Sequence, residues 1–429
     1  MNEKSTRDFD SYNPVSILFL TLHFPPQLGA AATRVDSLTT RWADAGHDVS
    51  VVTPVPDDAD GEIHPEFTNQ WITREECRRV TIYRLKTISA ADDSHVLRRT
   101  AKYLWFAASA VAFSLIRTRP DVVIGTSPQL FTAFGGLLFA SLSRIPFVFD
   151  VRDLWPESLK AMGYNEKTTK YRLLDVTAEI LYRWSSIIIV ATPGIKSAIV
   201  SKGVRPDAVK VHTNGIEPKF YNRGPEDHEN RLQGLERIQN RFAILYVGSV
   251  ERVHGLSVAL SAAECIGRDP GYEDVVFAII GFGTQYDSLR KEAEARGLDN
   301  VEFLGSLPKK RIPEYLASAD AGLVHLIQHQ LFRTAIPSKS LEAMAAGLPV
   351  LMGLAGDAAE LVEEAEAGLS FPPEDAEALA DAVRRLHDNP ELVRRLSRNA
   401  ELTARTLFDW ENIAADYLLD IKMIVSEST

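Results

Sequence analysis

Two α/β domains in tandem, each built on a parallel β-sheet, are the fold class that the sequence predicts. Three observations carry this. The chain has 429 residues, more than one domain of ordinary size. Short apolar runs alternate with longer amphipathic stretches along its length, the pattern of strands covered on both faces by helices. The alternation is interrupted once, by the polar stretch Tyr221 to Arg241 (YNRGPEDHENRLQGLERIQNR), which reads as a linker.

The elements follow in order. Val15 to Leu22 (VSILFLTL) ends near Pro25 and Pro26 and reads as a buried strand. After the loop HFPPQLGAAATR a helical stretch runs to Ala45, with Gly46 placed to cap it, and a strand follows at Asp48 to Thr53. Further strands are expected at Thr81 to Lys86, Asp121 to Gly125, Pro146 to Val151, Ile187 to Ala191 and Val209 to His212. Beyond the linker, strands FAILYVG, VVFAIIG and VEFLG alternate with helices near Leu256 to Ile266 and through Arg296. Helix Ile312 to Ser318, strand Ala321 to Leu326, helix Ser338 to Ala346 and strand Pro349 to Met352 complete the core. Glu374 to His387 and Pro390 to Ser426 read as helical. Each half is Rossmann-like, and a ligand is expected in a cleft where the C-terminal ends of the two sheets converge.

Composition bounds the function. Hydrophobic residues make up 45% and charged residues 24%, which excludes a largely disordered chain. Acidic residues outnumber basic ones by 58 to 47, a net charge of −11, so bulk nucleic-acid binding is excluded. Cys77 and Cys265 stand far apart, which is neither a disulfide framework nor a metal cluster and suits a reducing, cytoplasmic setting. The N-terminal residues lack the apolar core of a secretory signal, and no apolar run reaches the roughly 20 residues of a membrane span. The nearest is Tyr103 to Ile116, flanked by Arg98, Arg99, Lys102, Arg117 and Arg119. It fits a buried helix, and it fits a helix lying in a membrane interface.

Chemistry concentrates in a few segments. In PSKSLEAMAAGLPV, Pro337 to Val350, proline suits a helix start and Gly347 a helix end. The free N–H groups near Ser338 form an anion site, and Lys339 in the first turn is favoured there only with an anion present. Lys339 and Glu342 share a face, so a cation and a carboxylate together suit a phosphate and ribose hydroxyls. A solvated helix with an ion pair between them is the alternative. GSVERVHG, Gly248 to Gly255, joins a strand to a helix, where glycine lets backbone approach a pyrophosphate. GFGT, with Gly281 and Gly283, stands in the same position after its strand, although a lone G-x-G is a weak signal. Asp153 ends a strand in FDVRDLWPES, where a carboxylate can orient or deprotonate an acceptor hydroxyl; an Arg152–Asp153 structural pair is the alternative, and Glu157 is a further candidate. His325 and His329 lack the glutamate of a metalloprotease motif and read as core or loop histidines. Asp58 and Asp60 read as a solvated turn rather than a metal site. Ser127 has no G-x-S-x-G elbow.

The PSK-x-x-E-x-M-A-x-G-x-P-V run and the VRDLWPES run resemble those of family 4 retaining glycosyltransferases. Within that family they resemble the N-acetyl-fucosamine-transferase-like subgroup of surface-polysaccharide synthesis. The segments Phe24 to Arg34, Asp121 to Pro128, Asn214 to Ile216, Gly248 to Gly255 and Gly281 to Thr284 extend the resemblance over almost the whole chain. It implies the GT-B fold, two Rossmann-like domains facing each other across a cleft. The implied partition is a polar tail (1–14), an acceptor domain (15–220), a linker (221–241), a nucleotide-sugar domain (242–400) and a C-terminal helix (401–429) that crosses back. That helix carries Trp410 and Tyr417 on one face.

The resemblance implies that Glu342 holds the nucleotide ribose and that no metal or other cofactor takes part. The family's partner glutamate falls eight positions earlier, where this chain has Thr334. The family's loop arginine and lysine fall at Ser249 and His254, leaving Arg252 between them to join Lys339 on the diphosphate. Gly29 matches a glycine loop facing the donor phosphates. The implied substrates are a nucleoside-diphosphate sugar, expected to be UDP-linked, and a polyprenyl-linked glycan at the inner face of the membrane. A nucleotide-sugar epimerase and a non-catalytic subunit of a glycan-assembly complex are the competing readings, the latter kept open by Thr334 and His254.

Overall fold

A computed structural model describes residues 13–428 except 28, 58–61, 89–95, 162–164, 222–237 and 239. Most of the expected linker, the N-terminal tail and the Asp58–Asp60 turn lie outside the described residues. The chain forms two compact units. One comprises residues 1–191, 198–212 and 414–429, the other residues 192–197 and 213–413.

The first unit is an eight-stranded sheet with helices. Its strands are β1 (Ser16–Leu20), β2 (Asp48–Pro54), β3 (Ile72–Cys77), β4 (Val80–Leu85), β5 (Val122–Thr126), β6 (Phe147–Val151), β7 (Ile187–Val190) and β8 (Val209–Val211). Its helices are α1 (Ala30–Asp44), α2 (Val96–Arg117), α3 (Leu130–Ser143), α4 (Glu157–Ala161), α5 (Thr169–Trp184) and α6 (Pro193–Ser201), the first residues of α6 grouping with the second unit. The strand order is β3-β4-β2-β1-β5-β6-β7-β8. Every pairing is parallel except β3 with β4. β5, β6 and β7 are buried at every residue, as strands covered on both faces must be. β3 was not expected from the sequence. ITREEC has no apolar run because it is an exposed edge strand with one partner, turned back by Arg78 and Arg79 at positive φ.

The second unit contains β9 (Phe242–Val247), β10 (Val275–Ile280), β11 (Val301–Gly305), β12 (Ala321–His325), β13 (Val350–Gly353) and β14 (Gly368–Ser370). With them come α7 (Ser257–Ile266), α8 (Tyr286–Arg296), α9 (Ile312–Leu316), α10 (Ser338–Ala345), α11 (Asp357–Glu364), α12 (Ala376–His387) and α13 (Pro390–Leu407). The sheet runs β11-β10-β9-β12-β13-β14, all parallel. Both sheets therefore have two adjacent strands from which the order runs outward in opposite directions, β1/β5 in the first and β9/β12 in the second. The loops leaving these strands diverge and make room for a ligand.

The helix expected from Pro390 to Ser426 is two helices. It breaks at Phe408 and Asp409, and α14 (Trp410–Ser428) begins there. Asp409 supplies the new start, its Oδ1 accepting from the Glu411 N–H at 2.6 Å. From Ala414 the chain belongs to the first unit, where the Trp42 Nε1–H donates to the Ala414 carbonyl at 2.9 Å.

Candidate active site

In the second unit, α10 starts at Ser338, with Pro337 as the residue before the first turn rather than within it. No side chain caps this start, and Ser338 is exposed, so the first amides of α10 are open to an anion. The far end closes as a Schellman motif. Leu348 N–H bonds the Ala343 carbonyl, Gly347 N–H bonds the Met344 carbonyl, and Gly347 takes φ +74°.

Lys339 and Glu342 do not form the ion pair that a solvated helix would use. The Lys339 Nζ instead donates to Tyr246 Oη at 2.7 Å and lies 4.3 Å from the centre of that ring. Tyr246 sits on β9, is 1% exposed, and passes its own proton to the Ser249 carbonyl at 2.6 Å. The ammonium is thus held over the start of the Gly248 loop, so close that a Cβ on Gly248 would come 2.9 Å from Nζ. Burial lowers the Lys339 pKa to about 8, with Glu342 opposing. Burial raises the Glu342 carboxyl to about 7, opposed by Lys309. Glu342 has no hydrogen bond or ion pair among the described residues. A half-buried carboxylate without a partner is poised for hydroxyl donors.

The two glycine loops are one structure. Gly248 N–H bonds the Ile280 carbonyl at 2.9 Å, Val250 N–H the Phe282 carbonyl at 2.9 Å, and Gln285 N–H the Val250 carbonyl at 3.0 Å. This zipper demands glycine at two places. A Cβ on Gly281 would lie 1.7 Å from the Gly248 carbonyl oxygen, and one on Gly283 2.4 Å from that of Val250. Glu251 closes the far side by accepting from Thr284 N–H at 3.1 Å and from the Thr284 hydroxyl, which holds its carboxyl below the usual range. Glu251 and Tyr246 were not anticipated. Their partners lie far away in sequence, and no local pattern marks them.

Arg252 and His254 lie in a short turn after this loop. Arg252 is exposed, and its guanidinium makes no hydrogen bond or ion pair among the described residues. His254 is held near pKa 4 by burial and then by the Lys339 charge, so it is neutral and takes the Glu251 N–H on Nδ1. It cannot supply the positive charge of the family's lysine. Thr334 is engaged elsewhere. Its hydroxyl donates to the Leu331 carbonyl at 3.1 Å, and its carbonyl accepts from Thr192 Oγ1 at 2.8 Å.

In the first unit, the candidates follow β1, β5 and β6. Gly29 is the residue before α1, exposed, at φ +120°, a conformation that favours glycine. Arg152 and Asp153 are not paired. Arg152 turns back to the end of β5, its Nε donating to the Ser127 carbonyl at 2.9 Å and to Thr126 Oγ1 at 3.2 Å. Ser127 Oγ in turn accepts from the Arg152 N–H at 2.9 Å, a structural role for that serine. The Asp153 carboxylate reaches solvent without a partner among the described residues. The protein around it raises its pKa, and the Arg152 charge draws it back. Glu157 is tied to Lys202. Beneath these lies a pair that sequence reasoning missed: Arg34 of α1 and Asp150 of β6, both fully buried, 2.8 Å apart. Asp150 also accepts from Thr126 Oγ1, so the pair fixes the ends of β5 and β6 together.

Known proteins resemble both halves. The family model for glycosyl transferases group 1 matches residues 227–403, and the glycosyl transferase 4-like domain matches residues 29–215. A putative colanic acid biosynthesis glycosyl transferase of Escherichia coli K12, WcaI, is 26% identical, covering 95% of this chain and all of its own. A glycogen synthase of Mycobacterium tuberculosis is 27% identical over 93% of this chain and 92% of its own. Among solved structures, the Anabaena protein HepE in complex with UDP superposes with TM-score 0.72 at 20% identity, over 95% of this chain and all of its own. A sucrose-phosphate synthase from Thermosynechococcus elongatus superposes with TM-score 0.76 at 18% identity, over 96% and 99%. These structural likenesses establish the GT-B fold.

Proposed function

This chain belongs to the group 1 glycosyltransferases and carries a glycosyl transferase 4-like N-terminal domain, and from that premise we propose that it moves a sugar, with retention at the anomeric carbon, from a UDP-linked donor to a hydroxyl acceptor. The observation that carries this reading is the anion site of the second unit. Lys339, the open amides of α10 and the glycine-lined backbone of two zipped loops meet beside a carboxylate, Glu342, that has no partner among the described residues. A nucleoside diphosphate offers the complement, two phosphates and a ribose diol.

In the proposed reaction the leaving diphosphate gains charge as the glycosidic bond breaks. Lys339, the α10 amides and Arg252 stabilise that charge, and Glu342 fixes the ribose. Fixed donors of this kind lower the barrier because they are already oriented before the charge develops. No metal is assigned a role. Gly29 and Asp153 belong to the first unit, and Asp153 orients the acceptor hydroxyl. His254 and Thr334, neutral and internally bonded, shape loops rather than carry charge.

The finer reading places the reaction in surface-polysaccharide assembly, as the name of the Escherichia coli relative suggests, with a lipid-linked glycan as acceptor. The PSK and VRDLWPES runs favour an N-acetyl-fucosamine-type sugar. No helix among the described residues is long and apolar enough to cross a membrane. The neighbouring helices α2, α3 and α5 nevertheless expose Ile116 (73%), Leu142 (61%) and Trp184 (68%) beside exposed Arg117, Arg144 and Arg183. Apolar side chains among cations suit an anionic interface at the inner face of the membrane.

The test is incubation of purified protein with UDP-sugars and a membrane extract. Acceptor-dependent release of UDP with the α-anomer of an α-linked donor preserved is the expected result. Isomerised free sugar without acceptor would establish the epimerase, and no binding of UDP or any other nucleotide would refute both enzymatic readings.

A further inference from the structure

His325 is the last residue of β12, is wholly buried, and lies outside the anion site of α10 and the glycine loops. Its surroundings are shaped for an imidazole. A Cβ on Gly255 would lie 2.9 Å from its Cε1, and one on Gly353, its register partner on β13, 2.4 Å from its Cδ2. Two glycines thus leave the space that the ring fills. Phe371 stacks on it, with ring centres 6.1 Å apart and planes 11° from parallel.

Both ring nitrogens are engaged, and the partners fix the tautomer. Nδ1 faces the His254 carbonyl at 2.7 Å, so it must carry the proton. Nε2 takes the Glu374 N–H at 2.9 Å, so it must carry the lone pair. Glu374 stands at positive φ, and its carboxylate accepts from the Gln328 N–H at 3.0 Å. One further bond, Ile327 N–H to the Val253 carbonyl at 2.9 Å, joins the turn to the loop after β12. The ring is therefore the bridge between the turn that carries Arg252 and the loop before α12. A buried phenyl ring would fill the same space and make neither bond. Burial favours the neutral ring, the bond to the His254 carbonyl and the Glu374 carboxylate act the other way, and the Lys339 charge adds to the effect of burial.

We propose that His325 is a positioning residue for donor binding: by bonding the His254 carbonyl it sets the 252–254 turn and so aims Arg252 at the donor diphosphate. This rests on the reading of that loop as the diphosphate site. Within the turn, His254 Nδ1 and the Glu251 side chain close a capping box, and the bonds from His325 Nδ1 and the Ile327 N–H tie it to the end of β12 and the loop after it. The Arg252 guanidinium has no partner among the described residues to hold it. An exposed arginine must lose conformational freedom when it binds, and a turn fixed in advance reduces that loss.

The experiment is calorimetric titration of the full-length protein with UDP, with thermal unfolding measured in parallel. The set is wild type, His325→Phe, His325→Asn, His325→Gln, Arg252→Ala, Lys339→Ala and the His325→Phe/Arg252→Ala double variant. Asparagine can reach the His254 carbonyl with its amide as Nδ1 does, whereas glutamine places its amide where Nε2 stood. The expected result is UDP binding weakened about tenfold in the Phe and Gln variants and within about threefold of wild type in the Asn variant. In the double variant His325→Phe adds nothing to Arg252→Ala. Should the Phe variant not fold, the Asn and Gln comparison carries the test. Equal UDP affinity across the His325 variants, with Lys339→Ala impaired, would overturn the inference alone. Affinity that falls only in proportion to melting temperature, Asn included, would also overturn it. A wild type that binds no UDP removes the inference together with the function on which it rests.

Discussion

Lys339 and Glu342 occupy one turn of one helix, and burial moves both towards neutrality, to about 8 and about 7. Donor affinity should therefore depend on pH in two limbs. As pH rises from 6 towards 7.5 Glu342 ionises and becomes a better acceptor for ribose hydroxyls. As pH rises through about 8 Lys339 loses its charge and the diphosphate is held less well. Titration with UDP from pH 6 to 9 should give a bell, flattened on the acid side by Glu342→Gln and on the alkaline side by Lys339→Ala. At pH 7.5 Lys339→Ala should weaken UDP binding by about ten- to a hundredfold, the scale of one charged hydrogen bond. Stability should respond the other way at Glu342. A carboxyl whose folded pKa exceeds its unfolded value contributes favourably below the unfolded value, and that contribution is lost as pH rises through about 7. At pH 8 the wild type carries the cost of a charged, unpartnered group. Glu342→Gln should then raise the melting temperature by roughly 2–4 °C while weakening donor binding. A variant that binds UDP as wild type does would remove Glu342 from the site.

The residue scale also divides what was legible in the sequence from what was not. Lys339 and Glu342 stand in one short run at a helix start, where an anion site is one of two local readings, and Gly281 and Gly283 stand in a G-x-G that is weak by itself. No local pattern marks Tyr246 and Glu251. The Lys339–Tyr246 bond spans 93 positions and the Glu251–Thr284 bonds span 33, so neither leaves a periodic or motif signal. Arg34 and Asp150, 116 positions apart, are illegible for the same reason.

At the scale of elements, the glycine loops after β9 and β10 make a sharp pair of predictions. Gly281→Ala places a methyl carbon 1.7 Å from a backbone oxygen, which can only be relieved by parting the loops. It should cost about 2 kcal/mol or more in unfolding free energy, and UDP binding should be lost with the zipper. Gly347→Ala is the control. Nothing lies within 4 Å of its Cβ, and only the positive φ is strained, so about 1 kcal/mol should be lost with UDP affinity unchanged. Equal effects of the two on UDP binding would mean that the loops have no special part in it. Elements also show why the sequence misread two segments. β3 is a largely exposed edge strand with three consecutive charges, Arg74 to Glu76, and Glu75 pairs with Arg84 of β4, so the apolar signal of a strand is missing. The break at Phe408–Asp409 left no local signal, because the Phe408 carbonyl is taken by the distant Ile216 N–H and the Asp409 carboxylate accepts from the Glu411 and Asn412 N–H groups that open the new helix.

For the whole molecule, the last stretch of chain is held to the first unit from Ala414 onward. Tyr417 is fully buried there, edge-on to Trp42 with ring centres 5.2 Å apart and stacked on His212 at the same distance. Its hydroxyl finds no hydrogen-bond partner among the described residues, while His212 is bonded to Asp420 at 2.7 Å. An unsatisfied buried hydroxyl is a cost rather than an anchor. Tyr417→Phe should leave stability unchanged or raise it by about 1 kcal/mol, whereas Tyr417→Ala should lose about 3–5 kcal/mol through the cavity left beside Trp42. Thermal unfolding of the two variants measures both. A large loss in the Phe variant would mean that the hydroxyl has a partner in solution.

The sequence by itself determined the class of each half, because parallel strands buried on both faces are apolar throughout and show as runs in any reading. It also marked the candidate anion site on α10, because helix start, cation and carboxylate lie within six residues, Pro337 to Glu342. Only the tertiary structure decided what Lys339 touches, that Arg152 turns away from Asp153, that Glu342 stands without a hydrogen-bond or ion-pair partner among the described residues, and that His325 bonds the turn that carries Arg252. Each of these depends on groups brought together by chain folding over tens to hundreds of positions, and the energy of such a contact leaves no trace in the residues beside it.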